Sequence, residues 1–445
     1  RVQGRFNCAR ISTVDSTADM SVSPLYAVVP LRSTLNTSVR VPGSKSVAAR
    51  ALVCAALAVG ESTVSNLPSG DDTEAMLDGV ALLGVTMERQ GDSVRFTSSM
   101  PVDRTEPLVI DARLAGTTAR FLTAVASLRR GEVVITGEEA LRRRPMHDLH
   151  QALADIGFDV SPLNGSGMLP VSVKRGEQKS VRVIIPATTS SQFTTALMLI
   201  APKLPQGLSI VTEGEAVSQS YLDMTVGVQR SFGVRPIERQ QQVFRYESSD
   251  YVGTQYEVEP DASSASYPLA AAAIAGGRVV VSGLGRSSLQ GDSKFAEVLV
   301  QMGCSVARSG DDVVLSRSPE NPLIGVTVDM RDMSDLVPTL AVVAAFAQTS
   351  TTITGVGFIR KKESDRIGDL SAEMRKLGVS VDEHPDGLTV HPSTTHAGNV
   401  DTHHDHRLAM ALALVGLVTP GVVINDPMVV TKSWPEYWDM LGALQ

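Results

Sequence analysis

The sequence predicts an α/β protein with two lobes, built from six βαβαββ units with three units in each lobe. Three observations support this prediction. The chain has 445 residues, more than one hydrophobic core usually organises, so two domains of about 200 residues each are expected. An internal pattern recurs along the chain. Within each recurrence, helical periodicity alternates with strand periodicity.

The recurring pattern is a small polar cluster that opens an Ala-rich apolar run, which ends near Gly and passes into a β-rich stretch. A spacing of about 70 residues between copies indicates repeated structural units. The six copies begin at Ser44, Gly116, Ser190, Ser263, Ser334 and His404. Solenoid repeats are usually about 20–45 residues long, so units of this size favour compact lobes over an extended array.

The second half of each unit predicts another helix followed by two strands. In AMLDGVALLGVTMERQGDSVRF the apolar residues recur at helical spacing, Gly84 marks the helix end, and alternating residues follow. The chain ends in WPEYWDMLGALQ, which has helical spacing and no strand pattern after it. We expect the N-terminal segment Leu25–Val41 to supply the missing strand and complete the set.

Composition excludes several classes of partner. Hydrophobic residues make up 43% of the chain and charged residues 20%, and the formal net charge is −8. Such a chain is globular and has no global positive field to hold nucleic acid or an anionic membrane. The apolar stretch Ala265–Ala275 is too short to span a bilayer. We expect a monomer that binds small molecules, with no nucleic-acid partner and no membrane association.

The cysteines and the N-terminal segment bear on location. Cys8, Cys54 and Cys304 are few and far apart, which argues against a disulfide framework and favours a reducing compartment. We therefore expect a cytoplasmic protein. Residues 1–24 lack the apolar core of a secretory signal and are treated as an N-terminal extension, with Met20 as a candidate natural start.

The segment Val41–Arg50, VPGSKSVAAR, joins a strand end to a helix start. Ser44 can cap the helix, Lys45 and Ser46 lie in its first turn, and Arg50 lies on the same face as Ser46. Because the helix dipole disfavours lysine at an N-terminus, a bound anion is a candidate partner for Lys45. The glycine and lysine are not adjacent as a P-loop requires, so ATP binding is not supported.

Other segments also place polar residues at helix starts. In the first half they contain Gly116 and Arg120 in LAGTTAR, Arg144 in LRRRPMHDL, Ser190, Ser191 and Gln192 in TTSSQF, and Ser218 and Tyr221 in SQSYLDM. In the second half they contain Asp335 in DMSDLVPTLA, Lys362, Glu363 and Arg366 in RKKESDR, Arg407 in HHDHRLAM, and Lys432 in DPMVVTKSWPEYW. Each segment alone is compatible with a helix cap or a solvated charged face. Several helix starts with free backbone N–H groups suit an anionic ligand between the lobes.

The histidines of 403–406 do not predict a metal site. Adjacent residues do not converge on one ion at the usual ligand spacings, and no second cluster of ligand residues accompanies them. We expect no metal and no organic cofactor.

As an ordered set, these motifs resemble the 5-enolpyruvylshikimate-3-phosphate synthase family of enolpyruvyl transferases. The chain contains PGSKS, AGT..R, SSQF, PDASSASY, GLGRSSLQGD, KESDR and DHRLAM in order, within about Leu25 to Gln445. The resemblance implies a two-lobed inside-out α/β barrel that closes around its substrates. It implies one lobe of residues 25–42 and 260–445 and a second lobe of residues 43–259.

The resemblance also implies a reaction and a set of site residues. The enzyme would transfer the enolpyruvyl group of phosphoenolpyruvate to the 5-hydroxyl of shikimate 3-phosphate. The implied contacts to shikimate 3-phosphate are Lys45, Ser46, Arg50, Ser190, Ser191, Gln192, Ser218, Tyr221, Asp335 and Lys362. The implied phosphoenolpyruvate site is Lys45, Gly116, Arg144, Gln192, Arg366, Arg407 and Lys432. The implied catalytic residues are Asp335, Glu363, Lys362 and Lys45. Glyphosate sensitivity is implied by Gly116, since the corresponding glycine lines the part of the pocket that this inhibitor fills.

Two positions depart from the family pattern, and two alternatives stand beside this interpretation. Leu114 and Phe358 occupy positions where the family often has Asn. One alternative is the related transferase that acts on UDP-N-acetylglucosamine and uses a reactive cysteine; here Cys54 lies in an apolar helix pattern, and the next cysteine is Cys304. The other is a non-catalytic polyanion-binding relative, against which the intact acid–base residues argue.

Overall fold

The computed structural model describes residues 24–165, 167–187, 190–214, 218–240, 242–285 and 288–444. The predicted N-terminal extension, apart from its last residue, lies outside these ranges, as do residues 188–189 and 286–287 of two motifs. Within them the helices are α1 (Lys45–Leu57), α2 (Asp71–Leu82), α3 (Gly116–Ala126), α4 (Glu139–Arg142), α5 (His147–Ile156), α6 (Ser191–Ile200), α7 (Gln219–Ser231), α8 (Ala262–Ala275), α9 (Phe295–Gln301), α10 (Val337–Ala344), α11 (Gly368–Lys376), α12 (His406–Ala413) and α13 (Tyr437–Ala443).

The strands are short and occur mostly in pairs between helices. They are β1 (Leu25–Ala27), β2 (Leu35–Val39), β3 (Ala58–Val59), β4 (Ser62–Ser65), β5 (Met87–Gln90), β6 (Ser93–Phe96), β7 (Leu108–Asp111), β8 (Val133–Thr136), β9 (Asp159–Pro162), β10 (Val171–Lys174), β11 (Arg182–Pro186), β12 (Leu208–Glu213), β13 (Glu238–Gln240), β14 (Val243–Tyr246), β15 (Tyr251–Val252), β16 (Gln255–Glu257), β17 (Gly277–Val281), β18 (Ser305–Ser309), β19 (Asp312–Arg317), β20 (Thr327–Asp329), β21 (Thr351–Thr354), β22 (Val381–His384), β23 (Gly387–Val390), β24 (Gly398–Val400) and β25 (Val422–Asn425).

Five sheets share one four-stranded arrangement, in which a parallel pair is extended by an antiparallel hairpin. Their strand orders are β7-β8-β10-β9, β11-β12-β14-β13, β16-β4-β6-β5, β2-β17-β19-β18 and β20-β21-β23-β22. In the first of them, α3 connects the parallel strands β7 and β8, and α5 precedes the hairpin of β9 and β10. The predicted βαβαββ unit is therefore confirmed. The sheets are separate, and none of those in the described ranges closes on itself into a barrel.

The N-terminal segment completes the set, as predicted, but it serves two units. Strand β1 pairs antiparallel with β25 of the last unit, with Leu25 opposite Asn425. Strand β2 pairs in parallel with β17 of the fourth unit, with Val39 opposite Val281. In the same way β16, at the end of the first three units, returns to pair with β4 of the first. The first three units are thus completed by β16, and the last three units are completed by the N-terminal strands β1 and β2.

The first helices of the units are buried on all sides and form the cores. In α8 every residue of 262–274 is buried, as expected for a helix that is apolar all round. The buried apolar residues divide into two clusters, one from 47–258 and one from 28–41 together with 262–444. This division supports the proposed lobes of residues 43–259 and of residues 25–42 with 260–445. None of the helices in the described ranges combines the length and apolar character needed to cross a membrane.

The two chain crossings between the clusters lie side by side. The backbone N–H of Ser44 donates to the carbonyl of Glu259, and that of Asp261 donates to the carbonyl of Pro42, both at 2.8 Å. Gly43 lies between them, where a Cβ atom would come within 1.8 Å of a neighbouring backbone carbonyl oxygen. Only glycine permits this close approach, which fixes the point where Lys45 enters its helix.

Candidate active site

The candidate active site lies between the two lobes, where a cavity of about 370 Å³ adjoins a smaller one. A volume in this range suits a small-molecule ligand. Both cavities are lined by Arg144, Ser191, Ser218 and Lys362. The other predicted residues that line one of them are Lys45, Ser46, Gly116, Ser190, Gln192, Tyr221, Asp335, Glu363, Arg366 and Arg407. The fold therefore gathers predicted residues from both halves of the chain at one place.

Helix α1 presents Lys45 to the cavity from the second lobe. The Ser44 side chain accepts from the backbone N–H of Val47 at 3.5 Å, which leaves Lys45 in the first turn, as predicted. The Lys45 ammonium pairs with Oδ2 of Asp72 at 2.9 Å, and the Lys45 side chain is one-fifth exposed. Since the helix dipole opposes a cation at this position, the carboxylate from α2 compensates for it.

Arg50 is the predicted residue that the structure turns away from the cavity. It is buried, and its guanidinium donates to Thr225 at 2.8 Å, to the carbonyl of Ser46 at 2.7 Å and to that of Tyr221 at 3.2 Å. A weaker bond of 3.4 Å reaches Thr195. Burial lowers the pKa of Arg50 to about 10. Arg50 thus ties α1 to α6 and α7, and its contact with shikimate 3-phosphate stays a prediction.

Helix α6 begins at the predicted serines. Ser190 caps it by accepting from the backbone N–H of Gln192 at 3.3 Å. The Gln192 side chain donates to Thr117 at 3.1 Å and accepts from Arg120. The predicted site set omits Arg120, although its position one turn after Gly116 in the AGT motif could have indicated it.

Arg120 is a cation of the cavity wall without a carboxylate partner among the described residues. It is buried and lines the larger cavity. Its Nε has no hydrogen-bond partner within the described ranges. Burial, and then the charge of Arg144, lower the pKa of Arg120 well below its usual value. Two arginines held close together, with a donor atom unused, fit a wall that binds an anion.

The start of α7 connects the lobes through hydroxyl groups. Ser218 adopts a left-handed backbone conformation with φ 59° and donates to the carbonyl of Arg331 at 3.3 Å. Tyr221 donates to Oδ2 of Asp335 at 3.3 Å. Burial raises the pKa of Tyr221 well above its usual value, so its phenol stays protonated and remains a donor.

Asp335 is the centre of an ionic network in the first lobe. It lies in the 3₁₀ turn Ser334–Leu336, directly before α10. Its Oδ1 accepts from Arg366 at 2.8 Å and its Oδ2 from Arg407 at 2.7 Å, and Nζ of Lys362 lies 4.0 Å away. Burial alone would raise the pKa of Asp335, but Arg407, Lys362 and Arg366 outweigh burial and hold this pKa well below its usual range.

Glu363 joins the lobes through a second ionic group. Its Oε2 accepts from Arg366 at 2.7 Å. Its Oε1 lies 3.5 Å from Arg144 of the other lobe and 3.4 Å from Lys432. Burial opposes ionisation, but the charges of Arg366, Lys432 and Arg144 hold the pKa of Glu363 well below its usual range. The two predicted acid–base carboxylates are therefore ionised and surrounded by cations.

Asp405 belongs to this ionic network, although the prediction did not assign it to the site. It is fully buried, and its Oδ2 accepts from Nε of Arg366 at 2.7 Å while its Oδ1 accepts from the second nitrogen of the same guanidinium at 3.3 Å. Its Oδ1 also caps α12 through the backbone N–H of Arg407 at 2.9 Å. Asp405 therefore orients the guanidinium of Arg366 and fixes the start of the helix that carries Arg407. Its place directly before His406 and Arg407 in the DHRLAM motif was the available signal.

The neighbouring histidines point to different surroundings. His403 contacts Glu373 at 2.7 Å, and the exposed His404 lies 3.6 Å from Asp426. His406 is buried, lines the smaller cavity, and has no hydrogen-bond partner on either ring nitrogen within the described ranges. Burial and nearby cations hold the pKa of His406 well below its usual value. It is therefore a neutral imidazole facing the ligand space.

The two departures from the family pattern have local explanations. At Leu114 the backbone carbonyl accepts from Nζ of Lys432 at 2.9 Å, and this contact does not depend on the side chain. Phe358 lines the larger cavity, and Nζ of Lys362 lies 5.9 Å from the centre of its ring. An apolar wall with a cation–π contact thus stands where an amide is common.

Comparisons with known proteins agree with this geometry. A family model described as EPSP synthase (3-phosphoshikimate 1-carboxyvinyltransferase) matches residues 30–441. The 3-phosphoshikimate 1-carboxyvinyltransferase of Trichormus variabilis is 39% identical over 418 residues, which cover 93% of this chain and 97% of that protein. The protein of the same name from Vibrio campbellii is 40% identical over 417 residues, which cover 91% and 96%.

Solved structures share the fold. EPSP synthase from Acinetobacter baumannii matches with a TM-score of 0.79 and 24% identity, covering 94% of this chain and 98% of that one. The enolpyruvyl transferase NikO from Streptomyces tendae matches with a TM-score of 0.76 and 17% identity, covering 95% and 98%. Since the family model and the curated relatives both extend over nearly the whole sequence, the chain belongs to the EPSP synthase (3-phosphoshikimate 1-carboxyvinyltransferase) family.

Proposed function

We propose that this protein transfers the enolpyruvyl group of phosphoenolpyruvate to the 5-hydroxyl of shikimate 3-phosphate. One observation carries the proposal: cations from both lobes converge on a cavity that also holds two partly buried carboxylates. The cations are Lys45, Arg120, Arg144, Lys362, Arg366, Arg407 and Lys432, and the carboxylates are Asp335 and Glu363. The names and coverage of the curated relatives support the same reaction.

The charge of the site suits two polyanionic substrates. Two unit charges 4 Å apart interact by about 4 kcal/mol at an effective dielectric of 20, so two phosphates and two carboxylates repel each other strongly when bound together. Cations on both lobes offset this repulsion. Arginine is suited to two-point contact with phosphate or carboxylate.

The reaction needs an addition and an elimination. The 5-hydroxyl oxygen forms a bond to C2 of phosphoenolpyruvate, the hydroxyl loses its proton, and C3 gains a proton. The C2–O bond to phosphate then breaks, C3 gives up a proton, and the enolpyruvyl ether and inorganic phosphate leave. The proposal assigns Asp335 as the base for the hydroxyl. It assigns Lys362 and Glu363, with Lys45, to the protons at C3 and on the leaving phosphate.

Substrate binding would adjust these groups. Asp335 is held by Arg366 and Arg407 at 2.8 and 2.7 Å, which makes its carboxylate a weak base. A substrate phosphate or carboxylate would compete for the same two guanidinium groups. The pKa of Asp335 would then rise toward the range useful for accepting a proton. Burial lowers the pKa of Lys362, which favours proton transfer from it near neutral pH.

The thiol-dependent alternative has little support. Cys54 is fully buried inside α1, and burial raises the pKa of its thiol well above the usual value, whereas a nucleophilic cysteine needs a lowered pKa. Cys304 is also buried, with its pKa raised to about 11.

We also propose a cytoplasmic monomer without nucleic-acid partners, for which the net charge of −8 and the few cysteines are the support.

The product identifies the reaction. We expect phosphorus and proton magnetic resonance to show a new vinyl ether on shikimate 3-phosphate when the purified protein receives both substrates. Replacement of shikimate 3-phosphate by UDP-N-acetylglucosamine should give no vinyl ether. A vinyl ether formed only with UDP-N-acetylglucosamine would contradict the proposal, and so would tight binding of both substrates without any product.

A further inference from the structure

We propose that the turn of residues 69–72, at the start of α2, is an interlobe contact that positions Lys45 when the lobes close. This inference rests on the proposed function, because it concerns the phosphoenolpyruvate side of the same cavity. Asp72 is then a positioning residue, which acts on the substrates only through Lys45.

On its inner side the turn holds Lys45. Oδ2 of Asp72 lies 2.9 Å from Nζ of Lys45, and the Asp72 side chain is 7% exposed. The backbone carbonyl of Asp72 accepts from the hydroxyl of Thr118 on α3 at 3.2 Å. Asp72 is therefore fixed to the helix that carries Gly116 and fixes Lys45 in turn.

On its outer side the same turn touches the first lobe. The hydroxyl of Ser69 donates to the two carboxylate oxygens of Glu436 at 2.9 and 3.2 Å. Oδ2 of Asp71 accepts from the hydroxyl of Thr431 at 3.0 Å. Thr431 directly precedes Lys432, the cation that the first lobe sends to Glu363 and to the carbonyl of Leu114. The turn therefore contacts Lys45 of the second lobe through Asp72, and it contacts Thr431, the neighbour of Lys432 in the first lobe, through Asp71.

Gly70 makes this contact possible. A Cβ atom at position 70 would lie 2.7 Å from the carbonyl oxygen of Lys432 and 2.9 Å from Cα of Ser433. Both are backbone atoms of the other lobe, so the clash cannot be relieved by a side-chain rotation. The backbone of Gly70 itself has φ −77° and ψ 158°, which alanine adopts without strain. Alanine at position 70 is therefore compatible with the backbone of the turn, and its methyl group clashes only when the first lobe lies against the turn.

The geometry has a functional consequence. When the lobes meet at this turn, Lys45 lines the smaller cavity, Lys432 reaches Glu363 of the same cavity, and the turn is held at both sides. When they separate, Ser69 and Asp71 lose their partners, and Asp72 is held by the second lobe alone. Closure would in this way complete the cation set only after the substrates have entered.

Gly70→Ala tests the contact. Small-angle scattering should show that shikimate 3-phosphate reduces the radius of gyration of the parent protein but not of Gly70→Ala, while the melting temperature without ligand stays unchanged. The matched control is Gly442→Ala, where an added methyl group meets nothing within 4 Å and closure should be normal. A Gly70→Ala protein that closes like the parent would overturn the inference.

Asp72→Asn tests the action through Lys45. Because a displacement of about 1 Å can cost roughly 10²-fold in rate, we expect kcat/KM for phosphoenolpyruvate to fall by about that factor in the parent background. In a Lys45→Gln background the same change should have almost no further effect. The control is Glu74→Gln, which removes a partly exposed acid of the same helix that pairs with Arg89. Equal losses in both backgrounds would show a merely structural role. A parent protein that releases no phosphate from both substrates would instead refute the proposed function itself.

Discussion

Arg407 donates a hydrogen bond to Asp335 at 2.7 Å, and the carboxylate is held on its other oxygen by Arg366 at 2.8 Å. The group proposed as the base is therefore neutralised by the cations proposed to bind substrate. A substrate anion that binds Arg366 or Arg407 would compete with Asp335 for the same guanidinium group.

Removal of either acid–base carboxylate should slow the reaction, and removal of the Glu363 carboxylate should leave the binding of shikimate 3-phosphate intact. A positioned acid or base contributes about 10²–10⁴-fold to rate, so Asp335→Ala and Glu363→Gln should each lower kcat by about 10²-fold or more. Calorimetry should show that Glu363→Gln still binds shikimate 3-phosphate. Near-normal kcat in both variants would show that the proton-transfer roles are misassigned.

Asp405→Asn should weaken phosphoenolpyruvate binding without unfolding the protein. Asparagine can still cap α12, since amide and carboxylate side chains are similar N-caps, but the charge that orients Arg366 is lost. Hydrogen bonds to charged groups are worth about 1.5–3 kcal/mol, so KM for phosphoenolpyruvate should rise about tenfold or more. Steady-state kinetics of Asp405→Asn and Asp405→Ala, measured side by side, would separate the capping of α12 from the orientation of Arg366. A lower melting temperature with unchanged KM would mean that Asp405 only stabilises the helix.

Gly116→Ala should relieve inhibition by glyphosate. A Cβ atom at position 116 would lie 2.7 Å from a guanidinium nitrogen of Arg144, so the methyl group must displace this arginine or enter the cavity. Overpacking of a tight site costs about 1–3 kcal/mol. Glyphosate is longer than phosphoenolpyruvate and should lose more affinity. KM for phosphoenolpyruvate should also rise somewhat, because Arg144 shifts.

The measurement is the inhibition constant of glyphosate against varied phosphoenolpyruvate, for the parent and the variant. Insensitivity of the parent to millimolar glyphosate would contradict the role of Gly116 and would leave the proposed reaction untouched.

Asp292 should make the stability of the protein fall as pH rises toward neutrality. Burial, and then the charge of Asp335, raise the pKa of Asp292 from 3.8 to about 7. Between these values the folded protein keeps a proton that the unfolded chain has lost, so the free energy of unfolding decreases as pH increases and the loss is complete above pH 7. The Asp292→Asn variant has no carboxyl group at this position, so its free energy of unfolding does not show this decrease with pH. The melting temperature of the variant minus that of the parent should grow from pH 5 to pH 8; a constant difference would contradict this assignment.

The repeat pattern predicted the fold because each unit must bury the same apolar helix. The copies that begin at Ser44 and Ser263 became α1 and α8, whose apolar residues are almost wholly buried. The split of the N-terminal segment between β1 and β2 was not predictable, since three- and five-residue strands carry no register of their own. Pairing with β25 and β17 decides it.

The motifs mark most of the residues that the fold brings to the cavity, whereas tertiary contacts decide the position of the others. Arg50 shares a motif with Lys45, but partners on α6 and α7 hold it away from the cavity. Asp72 and Asp405 became important only because folding placed them beside Lys45 and Arg366. Single acidic residues near helix starts are common caps, so the sequence alone gives no reason to single out Asp72, whereas Asp405 had only its place in the DHRLAM motif as a signal.

Phosphate release measured with each substrate alone, with both together, and with both in the presence of EDTA tests the central claim most directly. The account predicts release only when phosphoenolpyruvate and shikimate 3-phosphate are both present, at a rate that EDTA does not change. Asp335→Ala, with binding of shikimate 3-phosphate checked separately, is the control for contaminating phosphatase. Release from phosphoenolpyruvate alone, no release from the pair, or loss of activity with EDTA that one divalent ion restores would contradict the account.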